Sequence, residues 1–422
     1  MASATIAREA YAASLVHTHV PRAPSRLFLW ATGFTMAVSC FVMVEPAPVD
    51  ALVLGLLVLG IVSGILTLRN VPPLPSTLLT LLILANVVSF YSPIDEERAF
   101  WYIFVTAYLV LSWFFFVAFL QRYETRGMDV LIRAYTFSAM FCVTLGALSY
   151  FHLIGFQDYL LLVGRLKGLF KDPNVCGPYL IPVALFALAG IIRKKPGWVT
   201  ASLHGSVLAL ASLGVLLSYS RACWINYSIS VAAYFVFSYL LRPVSMPPPF
   251  SMTRALLFAA LAGASVVGIM QLPAVKAMMA ERVTKTGLQG YDRDRFHAQR
   301  MAYQSALVRP LGIGPGQAEE QFDYATHSSY MRVLSENGFV GFFAYLGFVL
   351  LTLGRSLAMT RRTKSIFWRR VFLIAAACII GHMVNSAVVD TVHWRHYWFL
   401  LALPWYTPVE CKMPGRKGVR VA

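Results

Sequence analysis

Long apolar runs separated by short polar ones make up most of this chain. Runs long enough to cross ~30 Å of hydrocarbon as a helix, about 20 residues, begin near Leu27, Val49, Leu74, Ala99, Val130, Asn174, Val199, Ala222, Arg254, Phe339, Val371 and Tyr397. The pattern predicts an all-α polytopic membrane protein with about twelve transmembrane helices in a single membrane domain over residues 1–422. One polar interval interrupts it, from Pro273 to Asn337. It predicts one long, partly helical loop outside the membrane. The polar first 25 or so residues lack a short apolar core with a small-residue cleavage site, so the first span is expected to direct insertion. No sustained internal repeat is visible.

Composition agrees, with 58% hydrophobic and 13% charged residues in 422 and a mean hydropathy of +0.63. Soluble chains are nearer ~45–50% apolar. A net charge of +17 would point to nucleic acid in a soluble protein, but here the basic residues cluster between apolar runs, where they set orientation. Alternate loops carry Arg69; Arg122, Arg126 and Arg133; Arg193, Lys194 and Lys195; Arg242 and Arg254; and Arg355, Arg361, Arg362, Lys364, Arg369 and Arg370. The interval Glu45–Asp50 on the other side has none. Both termini are therefore expected in the cytoplasm and the long loop outside, with membrane lipids and no nucleic acid as partners. The six cysteines form no C-x-x-C pair, and predict neither a disulfide framework nor a zinc site.

Basic residues on the outer side are not explained by orientation. Arg165, Lys167 and Lys171 precede the sixth span, and Arg221 lies between the seventh and eighth. Arg221 reads either as a snorkelling turn residue or as a fixed guanidinium at the mouth of a cavity. In the long loop, Arg293, His297, Arg300 and Gln304 fall on one helical stripe, with Phe296, Tyr303 and Leu307 on a neighbouring one. That face either rests on anionic headgroups or grips a diphosphate, for which the planar guanidinium fork is well shaped. Gly312-Ile313-Gly314-Pro315-Gly316 lacks the preceding strand and the Gly-Lys-Ser/Thr ending of a phosphate loop. It reads as a turn bringing the Arg300 helix to the His327 segment.

Thr326 or Ser328 caps a short helix over Ser329–Glu336, which Asn337-Gly338 ends. His327 then lies at the positive end of that helix, near arginines, and a neutral imidazole there suits a general base, although a lone interfacial histidine is also a common structural residue. Glu319, Glu320, Asp323 and His327 are conceivable metal ligands, but their spacing matches no ligand motif. Asp390, beside His393 and Arg395, either orients an imidazole, positions an acceptor or pairs with Arg395.

Arg300 to Leu307, Pro310-Leu311-Gly312-Ile313-Gly314-Pro315-Gly316, and His327-Ser328 followed by Glu336-Asn337-Gly338-x-x-Gly341 resemble the signature of the bacterial O-antigen ligase and polymerase superfamily. Gly168-Leu169-Phe170, Asp172-Pro173-Asn174 and Ser220-Arg221 resemble its earlier blocks. Tyr303 stands where the family often has tryptophan. The resemblance implies a GT-C-like inner-membrane glycosyltransferase that moves O-antigen polysaccharide from undecaprenyl diphosphate to lipid A-core oligosaccharide at a periplasmic site. It implies inversion at the anomeric carbon and no cofactor or metal. His327 would be the general base, Arg221, Arg300 and Arg165 would hold the diphosphate, and Asp390 and Arg293 are candidates for positioning the acceptor. A polymerase or a protein O-oligosaccharyltransferase would share this donor chemistry. A transporter or flippase for lipid-linked glycan is the reading from another class, though transporters tend to pair broken helices in repeated halves.

Overall fold

The computed structural model describes residues 25–91, 93–192, 197–242, 271, 290–322 and 324–411. The helices are α1 (Arg26–Ala37), α2 (Pro48–Val62), α3 (Pro73–Ser89), α4 (Glu96–Tyr150), the single turn α5 (Gln157–Leu160), α6 (Pro173–Ile191), α7 (Trp198–Leu217), α8 (Arg221–Leu240), α9 (Gly290–Val308), α10 (Ala318–Phe322), α11 (Ser329–Arg362), α12 (Ile366–Asn385) and α13 (Arg395–Ala402). A two-residue antiparallel hairpin pairs Leu161–Leu162 (β1) with Arg165–Leu166 (β2). Six of these helices, α4, α6, α7, α8, α11 and α12, are long and apolar enough to cross a membrane, and α2 and α3 are shorter apolar helices. The chain is an all-α polytopic membrane protein.

The fourth and fifth predicted spans are the two helices of the 55-residue α4, which meet at Glu124, where the backbone leaves the helical region (φ 49°, ψ −132°). The span predicted from Tyr397 is corrected: α13 has only 8 residues before Pro404 sits in a 3-10 turn, and His396 to Ala402 are buried within the protein. An element enclosed on all sides is apolar for the same reason as a lipid-facing one, so hydropathy does not separate them. The span predicted from Arg254, the cluster Arg193-Lys194-Lys195 and the start of the long loop at Pro273 lie outside the described residues.

Lipid is as apolar as leucine, so helices in a membrane associate through close packing of small residues. Gly381 of α12 meets α8 so closely that a Cβ there would lie 2.1 Å from Ser230 Oγ, and Gly177 of α6 would put one 2.4 Å from Cys223 Sγ. Trp113 of α4 joins the core's other end, donating its indole N–H to Leu401 O (3.1 Å) and packing on Phe348 and Trp405.

One end of the bundle gathers the irregular segments. Val42 N bonds Leu169 O (2.9 Å), and Ser329 N bonds Ser386 O (2.9 Å). The hydroxyls of Tyr150 and Tyr219 lie 2.8 Å apart. Arg395 grips Asp50 at 2.6 and 2.7 Å. Every candidate site residue described below is carried by these segments or by α9.

Candidate active site

The site is assembled by a glycine turn, a capped helix and α9. Gly312, Gly314 and Gly316 all have positive φ (98°, 107° and 73°), a region open to glycine at little steric cost. The turn docks by backbone on the end of the helical segment after His327: Ile313 N donates to Ser335 O (2.9 Å), Gly314 N to Glu336 O (3.1 Å), and Phe339 N to Pro310 O (3.0 Å). It closes around an anionic side chain of its own protein, because Gly316 N and Ala318 N donate to the Glu336 carboxylate at 2.9 and 3.2 Å. Gln317 ties the same turn to the start of α4, accepting from Ile94 N and Asp95 N at 2.8 Å each. A Cβ on Gly312 would lie 2.2 Å from Glu336 O. Gly312→Ala is therefore expected to lower stability by about 2 kcal/mol or more, read as thermal melting of detergent-purified protein. Gly55→Ala is the control, since a Cβ at Gly55 meets nothing within 4 Å.

Ser328 caps α11, its Oγ accepting from Met331 N at 3.4 Å, and Gly338, with φ 66°, kinks the helix where the short helix was predicted to end. The short helix ends at that non-helical glycine as expected, and a second helix, the span expected from Phe339, continues to Arg362. His327 precedes the cap at φ 44°, is partly buried, and packs edge-on to Tyr324 at 5.6 Å. Burial first, then Arg295 and Arg332, hold its imidazole below the usual 6.5, against an opposing pull from Asp390 and Asp172. The neutral ring predominates at pH 7, with one nitrogen able to accept a proton.

Arg332 is the electrostatic centre of this end and was not singled out by the sequence pattern. It is 5% exposed, donates to Tyr102 Oη (2.8 Å) and Glu319 (2.7 Å), and pairs through Nε with Asp390 at 2.9 Å. Glu336 lies 3.8 Å away. Arg98 pairs with both Glu319 and Glu320. Those two glutamates, conceivable metal ligands in the sequence, therefore sit in an ion-pair network. Asp323 lies outside the described residues, and among the described residues no cluster of histidine, cysteine or carboxylate is arranged to hold a metal. Asp390 pairs with Arg332, and its Oδ1 accepts from Ser329 Oγ at 3.4 Å. The alternative pairing with Arg395 is corrected, because Arg395 takes Asp50 and also lies 3.6 Å from Glu45.

The arginines predicted to hold a diphosphate are set differently from one another. Arg165 is braced, donating from Nε to Ser218 O (2.9 Å) and from Nη2 to Asn174 Oδ1 (3.0 Å). Arg221 opens α8 behind the Ser220 cap and is exposed. Because Ser218 and Ser220 flank one turn, Arg165 and Arg221 are brought to the same corner. Asp172, the cap of α6, connects that corner to the electrostatic surroundings of His327.

On α9 the buried positions are Ala298, Ala302 and Ala306, with Arg295 and Gln299 partly buried beside them. Gln299 donates to Thr326 O (3.0 Å) and Arg295 to Val388 O (3.3 Å). Arg293, His297, Arg300 and Gln304 are exposed, and so are Phe296, Tyr303 and Leu307. Both predicted stripes thus face outward, and the face against α11 is a small-residue stripe too weakly apolar to stand out. The arginine of this helix whose charge acts on His327 is Arg295, with Arg300 on the outward face. A period count weighted for small as well as large residues finds this face; nothing in the sequence marks Arg332 except Glu336 one turn later.

Residues 206–346 match the model of a family described as O-Antigen ligase. The matched segment runs from α7 through α8 and α9 to the kinked start of α11, and so includes Arg221, Arg300, His327 and Arg332. Over this segment, about a third of its length, the chain is similar to that family, in agreement with the resemblance read from its motifs. A comparison with curated proteins finds no match. Arg165, Asp172 and Asp390 lie outside the matched segment and join the family's portion through the contacts given above.

Proposed function

We propose that this membrane protein is a glycosyltransferase that moves an O-antigen glycan from undecaprenyl diphosphate to a hydroxyl of lipid A-core oligosaccharide, at a site on the periplasmic face. The observation that carries the reading is His327, partly buried beside Arg295, Arg332 and Asp390 within the O-antigen ligase segment. The acceptor hydroxyl gives its proton to the neutral imidazole, and its oxygen attacks the anomeric carbon. The bond from that carbon to the diphosphate oxygen breaks, and the electron pair leaves with the diphosphate. Arg165 and Arg221, at one corner, and Arg300, on the outward face of α9, supply the positive charge that balances the charge developing there. One displacement from the opposite face inverts the anomeric centre. Asp390 acts through Arg332, holding it against the segment that bears His327.

Purified protein given lipid-diphosphate glycan and lipid A-core, with no nucleotide added, is expected to glycosylate lipid A-core. Growth of the donor glycan in its place would reassign the chain as a polymerase.

The pH profile follows from His327. Its folded-state pKa lies below 6.5, so the base is mostly neutral at pH 7. The ratio kcat/KM should therefore fall on the acid side with its midpoint below pH 6.5, where the ring protonates. A decline centred above pH 7 would show that another group is the base.

A further inference from the structure

Asp390 also lines a cavity of about 280 Å³, walled by α1, α2, α4 and the segment leading into α13. Its upper part is polar. Lys171 pairs with Glu45 at 2.8 Å, Arg395 holds Asp50 at 2.6 and 2.7 Å, and Arg332 holds Asp390. Three carboxylates are matched by three cations, so no positive surplus remains for a phosphate. Such a mouth offers fixed donors and acceptors to an uncharged, hydroxyl-rich molecule. Tyr102, Tyr108 and Trp394 add aromatic faces, which suit the C–H face of a sugar ring as they suit other amphipathic groups.

His393 stands in this wall with a defined tautomer. Thr106 Oγ1 donates to Tyr102 O at 2.9 Å, so it accepts at 3.1 Å from His393 Nε2–H, leaving Nδ1 as an acceptor. Burial pushes the His393 ring down to about 4, keeping it neutral at pH 7. Phe116, Tyr135 and Phe399 also line the cavity, all buried, and Phe399 meets the rings of Phe116 and Tyr135 at 5.0 and 5.8 Å. A lining buried this far within the protein suits the end of a glycan chain better than its middle.

We infer that this cavity is the acceptor subsite and takes one uncharged terminal or branch sugar, with Glu45 and His393 bonding its hydroxyls. Naming it the acceptor's rests on the glycosyl-transfer reading. The donor sugar next to the diphosphate requires cationic surroundings, and this cavity, whose carboxylates are each matched by a cation, offers no spare positive charge.

The test uses full-length His327→Ala protein in nanodiscs, to prevent turnover, with core oligosaccharide released from lipid A by mild acid as the probe and saturation-transfer NMR as the readout. The oligosaccharide should bind, and Glu45→Gln and His393→Ala should each weaken it about tenfold or more, while affinity for undecaprenyl diphosphate stays within twofold. Glu45 has a side chain 46% exposed, so its isosteric substitution leaves the packing intact even where His393→Ala disturbs it. Oligosaccharide binding indifferent to Glu45→Gln and to His393→Ala, or displaced by undecaprenyl diphosphate, would overturn the assignment. If wild-type protein transfers no glycan but shows the tenfold losses, the transferase reading fails and the sugar subsite stands.

Discussion

His327→Ala protein, supplied with lipid-linked glycan and lipid A-core, is expected to transfer glycan about 10²–10⁴-fold more slowly than wild type, the range that a positioned general base contributes. Donor affinity should remain within twofold, because the groups proposed to hold the diphosphate are guanidiniums on β2, α8 and α9. The sharper variant is His327→Asn. Residue 327 has φ 44°, in the left-handed region that asparagine tolerates better than most residues. The amide thus keeps the backbone path into the Ser328 cap and offers no basic nitrogen. Equal loss in both variants identifies the missing proton acceptor as the cause. Full turnover by His327→Asn, measured as lipid A-core glycosylation, would remove His327 from the chemistry.

Arg332→Ala should be the most damaging single change to stability at this end of the molecule. The guanidinium is buried and meets Tyr102, Glu319 and Asp390 directly, with Glu336 close by. Removing one member of a buried ionic group leaves the others charged without compensation, at a cost of about 3–5 kcal/mol. Since Glu336 also accepts from Gly316 N and Ala318 N, the glycine turn is expected to loosen with it, and turnover to fall in parallel. Arg332→Lys keeps the charge but not the fork, and should recover part of the melting temperature and little of the activity. A melting curve for Arg332→Ala that overlays wild type would mean that backbone bonds alone hold the turn in place.

Most of the membrane architecture was legible because a bilayer imposes a length and a polarity that any sequence must meet. The starts of α2, α3, α6, α7 and α8 fall within a residue of the expected positions for that reason. The expectation failed at α13, where burial inside protein produces the same apolar signature as burial in lipid; at α4 the polar run over residues 121–126 does mark the break between two helices, at Glu124. In the site, the Ser328 cap and the Gly338 kink were readable from local chemistry, since a hydroxyl before a helix and a glycine at positive φ each have a short-range cause. The ion pairs were not. Arg332 with Glu319 and Asp390, and Arg395 with Asp50, join residues brought together only by the fold, and charge type alone does not choose among partners. On α9 the sequence showed two conspicuous stripes, while the face that decides the docking is made of alanines whose contribution is their small size.

That division of α9 into two faces bears on how such a protein diversifies. Ala298, Ala302 and Ala306 fix where the helix lies, and a larger side chain at any of them would push it off α11. Arg293, His297, Arg300 and Gln304 are under no such packing constraint, and point away from the scaffold. Substitutions on that outer face, Arg300 excepted, are thus open in single steps at little risk to folding.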